Sequence, residues 1–378
     1  MKILHLADLH IGKKVNNFCM LKEQKYALEQ ACELIKNNDI NIVLIAGDIF
    51  DRPVPSIGAL ELFESFLNEL KKINVSIYMV SGNHDSMDRL AYLSNLLSET
   101  GVYISKSFDG NVEFYDVENN TRIYLLPYLY PALVKKYHLN ENIKNYNDAI
   151  SAVLNDIVLD KDKFNIIVAH QFVLGKDEMI LSQSEQKSVG GIDEITYKVF
   201  EKFDYCALGH LHCPQKCGIE KIRYAGSILK YSFSEINQKK NFIVLNIDAN
   251  KKLDIEFHPI KSLHKMREYK GYISEFLDKS FYKNIDTDDY IHFILLDESV
   301  IDAKKKLSLI YPNIMMLEFD NNFTKNLNND ISIKNMNEKS IYEHFCDFYK
   351  KQLDSSLDDE KSKIVQKVLN KKDSVCGQ

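Results

Sequence analysis

Five short blocks of Asp, His and Asn, each directly after a short apolar run, constrain this chain more than any other feature. They are Asp8-Leu9-His10, Gly47-Asp48-Ile49-Phe50-Asp51-Arg52, Gly82-Asn83-His84-Asp85, Ala169-His170-Gln171 and Gly209-His210-Leu211-His212. The runs before them are Lys2–Ala7, Ile42–Ala46, Val75–Val80, Ile166–Ala169 and Tyr205–Leu208, and each has the length and composition of a strand. Between the first three runs, Leu21–Ile35 and Ile57–Leu70 carry apolar residues at helical spacing. Strand and helix in alternation predict an α/β fold with helices packed on sheet faces. In such sheets the carboxyl ends of the strands line one edge, where ligands bind. Blocks scattered from residue 8 to residue 212 are therefore expected to meet at one site.

The rest of the chain divides by pattern. Val112–Val117 and Arg122–Leu126 flank Asn119-Asn120, the signature of a hairpin. Asn147–Val158 reads as a helix, and Arg223–Ala225, Phe242–Asn246 and Leu253–Phe257 read as further strands. Residues 1–260 are thus expected to form one two-sheet domain. Residues 261–325 read as a small α+β unit, with strands near Ile291–Leu295 and Ile314–Phe319 and a helix near Val300–Ile310. A polar, Asn-rich linker from Asn321 to Asn337 opens the last segment, 326–378. There Ser340-Ile341-Tyr342-Glu343 has the form of a capping box. Ile341, Phe345, Phe348 and Tyr349 share one helical face, and Ile364, Val365, Val368 and Leu369 share another.

Composition removes several classes. With 20 Phe and 21 Tyr the chain has too many core formers for intrinsic disorder. It has no apolar run of about 18 residues, so no membrane span is expected. The N-terminus turns acidic at Asp8, too soon for a signal peptide, and the expected compartment is the cytoplasm. Seven Cys fit free thiols better than a disulfide frame. Cys213 and Cys217 lack the second pair that a zinc site needs. The net charge of −6 argues against binding nucleic acid by charge alone, but not against gripping phosphates through metal ions.

The five blocks suit a pair of metal ions. Oxygen and imidazole donors without thiolates fit Mn, Fe or Zn. One carboxylate has two oxygens and can bridge two ions about 3.5–4 Å apart, which together activate water and hold phosphate oxygens. Glycines before Asp48, Asn83 and His210 let the backbone bring donors close. Plainer readings stand beside these. An Asp after a strand is often a turn former or helix cap. His84 is a ligand or an acid, His170 a ligand or a structural residue, and Asp85 a cap or a supporting partner. Arg52 beside Asp51 reads equally as a phosphate contact or a surface ion pair, and Lys13 and Lys14 as surface lysines or phosphate contacts. His5 reads as a core residue. His138, His258, His264, His292 and His344 belong to no block.

As a set, Asp-x-His, Gly-Asp-x-x-Asp-Arg, Gly-Asn-His-Asp, a later His and Gly-His-x-His resemble the calcineurin-like metallophosphoesterase superfamily. The opening Met-Lys-Ile-Leu-His-Leu-Ala-Asp-Leu-His-Ile-Gly, with Ala-Gly-Asp-Ile-Phe-Asp-Arg and Gly-His-Leu-His-Cys-Pro-Gln, is similar to one branch, the bacterial SbcD family of double-strand-break repair nucleases. The resemblance implies a two-sheet β-sandwich flanked by helices, a capping and DNA-recognition domain over 261–325, and a helical tail over 326–378 that binds the partner. It implies two divalent ions, with Mn expected. Asp8, His10, Asp48 and His212 would hold one, and Asp48, Asn83, His170 and His210 the other. His84 would face the substrate phosphate and serve the leaving oxygen, and Asp51 would accept a hydrogen bond from His84 and fix its tautomer. The implied activity is 3′–5′ exonuclease on double-stranded DNA ends and endonuclease on hairpin or single-stranded DNA. The implied partner is SbcC, an SMC-like ATPase with a long coiled coil, around a homodimer within a heterotetramer. A phosphomonoesterase or small-molecule phosphodiesterase on the same centre is the alternative.

Overall fold

The computed structural model describes residues 1–92, 94–139, 141–175, 179–185 and 193–320, and beyond them Tyr342, Phe345, Cys346, Tyr349, Lys361, Ser362 and Val365. Apart from those seven residues, the tail expected over 326–378, with its linker, capping box and two apolar helical faces, lies outside the described residues. The chain divides into two compact units, residues 1–294 with 302–318 and residues 295–301 with 319–378. In the second, Tyr342 hydrogen-bonds Ser362 and the rings of Phe345 and Tyr349 lie 6.4 Å apart.

The first unit contains two six-stranded sheets. In one, Lys2–Leu6, Ile42–Ala46, Ser76–Val80 and Val102–Ile104 run parallel, and Asn241–Ile247 and Leu253–Pro259 extend it antiparallel on the Lys2 side. In the other, Ile219–Tyr224, Tyr205–Gly209, Phe164–His170 and Thr121–Leu126 run parallel. Antiparallel strands Gln215–Cys217 and Glu113–Val117 close its two sides. The central strands are apolar along their whole length because both faces are covered. Their two-residue period sorts the side chains. Ile42, Leu44 and Ala46 pack with Ile123, Leu125, Ile166 and Val168 in a core between the sheets. Val43 and Ile45 turn outward onto the helices Leu21–Asn38 and Ile57–Lys72. Ile167, Ala169, Cys206 and Leu208 face the helix Tyr146–Asn155 on the far side. The result is the helix-flanked two-sheet sandwich expected from sequence.

Element boundaries shifted by a few residues from the sequence reading. The hairpin turns at Asn119 and Asn120, both at positive φ, a conformation Asn tolerates. The helix expected near Val300–Ile310 is the shorter Ala303–Ser308. A three-stranded sheet has the order Met266–Gly271, Tyr290–Leu295, Ile314–Phe319. Its first strand escaped sequence reading because Arg267, Glu268 and Lys270 break the apolar alternation. Phe276, Phe293 and Tyr311 form its aromatic core, and the Tyr311 hydroxyl donates to the Phe276 carbonyl at 2.7 Å. The Leu21–Asn38 helix holds the segment leading into this sheet. Gln30 exchanges two hydrogen bonds with the Lys261 main chain, and Glu23 accepts from Leu263 N and pairs with His264.

Candidate metal centre

Strand register sets the site. Ile45 pairs with Leu6 and Ala46 with Val80 in the first sheet, and Gly209 pairs with His170 in the second. Within each sheet the strands that carry the blocks therefore end together. The loops that follow bend sharply: Asp8, His10, Asp48 and His210 sit at φ of +51°, +44°, +48° and +111°. Non-glycine residues in this region cost about 1–3 kcal/mol each, and such strain gathers at functional sites. Neighbouring hydrogen bonds hold it. Asp8 N donates to Gly47 O at 3.1 Å and His10 N to Asp48 O at 2.9 Å. Gln24, fully buried, accepts from Gly12 N and donates to the carbonyl of His10. Two glycines are required by close approach. A Cβ at Gly209 would run into the Ala46 carbonyl, and one at Gly82 into the Asp48 carboxylate.

The sequence-nominated donors meet at this edge. The Asp48 carboxylate lies between two groups, with Oδ2 at 3.5 Å from both His10 Nε2 and His170 Nε2. On one side His10 Nε2 faces His212 Nε2 at 3.0 Å, and Asp8 joins them. On the other, Asn83 Oδ1 lies 3.0 Å from His170 Nε2 and 3.1 Å from His210 Nδ1. The six Asp and His donors are each at most 9 % exposed. His84 stands at the rim. Its Nε2 is 4.0 Å from Asp48 Oδ2, its side chain keeps 15 % of its exposure, and its main-chain N–H donates to Asp48 Oδ1 at 2.9 Å.

Asp51 accepts from His84, but through its main chain. His84 Nδ1 bonds, at 3.0 Å, to the main-chain oxygen of Asp51 and not to its carboxylate. That carboxylate instead takes the Lys13 ammonium at 2.6 Å. The tautomer of His84 is thus set by backbone, which any residue at position 51 supplies. Lys13 spends its charge on Asp51, and Arg52 is an exposed partner of the same group. Asp85 accepts from the N–H groups of Gly82, Ile49 and Phe50, tying two of the loops together.

The electrostatics fit a bound cation. Asp8 and Asp48 are buried carboxylates, and among the described residues neither pairs with Lys or Arg. Buried like charges in this setting need a counter-ion or a proton. Burial, aided by Asp48, pushes the Asp8 carboxyl well up, although His170 opposes it. Burial acts on Asp48 too, but the charge and hydrogen bond of His170 outweigh it and hold Asp48 well below the usual range. For His170, burial is overcome by Asp48 and the group rises to about 9. His210 falls to about 3 through burial and the neighbouring charge of His170. Asp85, buried and facing Asp48, rises to about 6. The second nitrogens are also engaged. His170 Nδ1 donates to Ala46 O at 2.9 Å. Ser184 Oγ donates to Glu235, so it accepts from His212 Nδ1 at 2.7 Å. Both rings are thus turned to aim Nε2 into the centre.

Ser184, Glu235, Gln24 and Glu185, which accepts from His212 N at 2.6 Å, were not legible as site residues. They lie in no block, and only the Ser-x-x-Glu form of Ser182–Glu185 carried a local signal. Glu235 is fully buried beside Ser184 and His212 and takes the Lys240 ammonium at 2.7 Å. Burial alone would raise its carboxyl, but His212 and Lys240 bring it down to about 2. Its folded pKa lies below the ordinary 4.5, so its stabilisation is full above pH 4.5 and disappears as pH falls through about 2. Glu235→Gln is expected to weaken metal binding about 10- to 100-fold, as loss of a carboxylate supporting a ligating His does. Isothermal titration with Mn2+ measures it, and an unchanged affinity would remove this supporting role.

The remaining residues fall elsewhere. His5 is a core residue, with Nδ1 3.0 Å from the Tyr205 hydroxyl and a pKa lowered by burial to about 3. His138, His258, His264 and His292 each lie beside a carboxylate away from the centre. His344 lies outside the described residues. Among the described residues every Cys is a free thiol, and burial lifts the Cys217 thiol to about 12. No helix among them is long and apolar enough to cross a membrane.

A calcineurin-like phosphoesterase model matches residues 1–214. The SbcD subunit of the SbcCD nuclease of Staphylococcus epidermidis is 32% identical over 378 residues, 98% of this chain and 98% of that protein. The chain belongs to the calcineurin-like phosphoesterase family, on its SbcD branch. Among solved structures, this phosphoesterase is similar to a dimetal phosphatase from Danio rerio at 11% identity and a TM-score of 0.41, over 68% of this chain and 96% of that one. A Thermus thermophilus protein matches at 13% identity and a TM-score of 0.37, over 68% and 98%. Membership in the SbcD branch agrees with the resemblance carried by the five blocks.

Proposed function

We propose that this phosphoesterase is the metal-dependent DNA nuclease subunit of an SbcCD-type complex. The observation that carries this reading is the match to an SbcD nuclease along 98% of both chains, which runs on past the phosphoesterase segment 1–214. The metal centre prescribes attack on phosphorus, and the shared remainder of the chain favours a nucleic-acid strand over a small ester. The activity is 3′–5′ exonuclease on double-stranded DNA and endonuclease on hairpin or single-stranded DNA, in DNA repair, recombination and replication.

In this reading Asp8, His10, Asp48 and His212 would hold one divalent cation, with Mn2+ expected, and Asp48, Asn83, His170 and His210 would hold a second, Asp48 belonging to both sets. When bound, the cations lower the pKa of water towards neutrality and offset the phosphate charge. The chain's own groups do the rest. His84 Nδ1–H is held by the Asp51 carbonyl, so the ring acts as an imidazolium whose second proton, on Nε2, passes to the leaving oxygen and leaves the neutral Nδ1–H tautomer. Asp51 positions His84 through its main chain. Glu235 and Ser184 fix the tautomer of His212, and the Ala46 carbonyl fixes that of His170.

Residues 1–260 form the nuclease domain, 261–325 the capping and DNA-recognition domain, and 326–378 the linker and helices that bind an SbcC-type SMC-like ATPase. Two copies of the chain would pair within a cytoplasmic heterotetramer. The test is purified chain with Mn2+, with and without the ATPase, on labelled linear duplex, hairpin DNA and a chromogenic phosphate ester. Cleavage of DNA is expected. Turnover of the ester with both DNAs left intact, even beside the ATPase, would overturn the reading.

A further inference from the structure

A second cleft opens directly beside the metal centre. It has a volume of about 450 Å3 and shares Gly82 and Asn83 with the centre. Its other walls are evenly mixed, and Phe108, Tyr128, Tyr130 and Leu133 supply the aromatic and apolar part. Nothing in the metal chemistry uses these rings. The Tyr128 ring lies 6.3 Å from that of His170, and Tyr128 N donates to Ser81 O at 3.0 Å, so the loop is fastened to the Asn83 block. Tyr130 is 43 % exposed, and its ring meets no other ring among the described residues. Its main chain is held, because Tyr130 O accepts from Leu133 N and Val134 N, and Pro131 follows directly. An exposed aromatic ring on a fixed backbone is a preformed stacking platform.

The charge of the cleft narrows the occupant. Asp85 and Asp88 line it, the first with its carboxylate taken by main-chain N–H groups and the second bonded to Ser107, and their charge disfavours phosphate, while Lys136 is the single cation among its described lining residues. The volume lies in the range of small-ligand sites and is too small for a duplex. A flat, uncharged heterocycle fits both facts. We propose that this cleft is a stacking subsite for one unpaired base of a nucleic-acid strand whose phosphate lies at the metal centre, with Tyr130 as the stacking ring. The inference rests on the nuclease reading and deepens it, since it selects strands with an unstacked base next to the cut, as in hairpin loops and single strands. Stacking is tolerant of base identity because every base has a π face.

The test compares wild-type chain, Tyr130→Ala and Tyr130→Phe, all with Mn2+, on a single-stranded oligonucleotide and on bis(p-nitrophenyl) phosphate. Tyr130→Ala is expected to lower kcat/KM on the oligonucleotide about 5- to 150-fold, the loss of one base–aromatic stack. Tyr130→Phe should stay within about twofold of wild type. Mn2+ content, read by elemental analysis after gel filtration, should be equal in all three. An oligonucleotide with one abasic position, moved step by step along the strand, should at one register bring wild type down to the Tyr130→Ala rate. A loss of Mn2+ that accompanies the loss of cleavage, or a loss that no abasic register reproduces in wild type, would assign Tyr130 a structural role and overturn the proposal, as would no loss on the oligonucleotide. A wild type that cleaves the ester and no DNA would instead defeat the nuclease reading, and the subsite with it.

Discussion

Asp48→Asn is expected to remove metal from the protein and to lower DNA cleavage by about 10³-fold or more. The reason is geometric. Asp48 Oδ2 lies 3.5 Å from one imidazole of each donor group, and Oδ1 receives the main-chain N–H of His84. One side chain therefore serves both halves of the centre and the rim. Asn keeps the shape and one acceptor, but it loses the charge and offers only one oxygen. The carboxylate is also the charge that carries His170 up to about 9, so its loss changes the protonation of a neighbouring donor as well. Metal ions contribute several kcal/mol of charge stabilisation, and tenfold in rate corresponds to about 1.4 kcal/mol. Elemental analysis after gel filtration and single-turnover cleavage measure the two effects. A variant that keeps two ions and cuts at near wild-type rate would end the bridging assignment.

His84→Ala is the complementary case. Its expected loss is about 10²- to 10⁴-fold in turnover, the usual contribution of a general acid, with metal content unchanged. The ring sits at the rim, more exposed than the buried donors, and is anchored by a backbone carbonyl. Truncating it removes no buried charge. The leaving group supplies the sharper readout. DNA expels an alkoxide that needs a proton, whereas bis(p-nitrophenyl) phosphate expels a stable phenolate that does not. The loss should therefore be large on DNA and small on the ester. Equal losses on both, or loss of an ion, would make His84 a ligand.

The positioning groups could not be read in advance. The Asp51 carboxylate was the natural partner for His84 in a sequence of side chains, yet the carbonyl of the same residue does the work. Pattern reading sees residue types, and main-chain geometry is invisible to it. Glu235 and Ser184 come from loops 28 or fewer residues either side of His212, with no periodicity to mark them. Met266–Gly271 was missed because Arg267, Glu268 and Lys270 break the apolar alternation that marks a strand.

By itself, the sequence determined the layered architecture and the convergence of the five polar blocks on one edge. Apolar runs buried on both faces must be interior strands, and polar blocks at their carboxyl ends must share an edge, so the meeting of Asp8, His10, Asp48, Asn83, His170, His210 and His212 was legible without coordinates, while the choice of these seven as metal donors came from the family resemblance. Only the tertiary structure decided which atoms meet: Asp48 between the two imidazole groups, His84 held by a carbonyl, Glu235 behind His212, and Tyr130 beside Asn83. Those relations depend on how two sheets close on each other and on four strained backbone positions, and such contacts between distant segments leave no period in the chain.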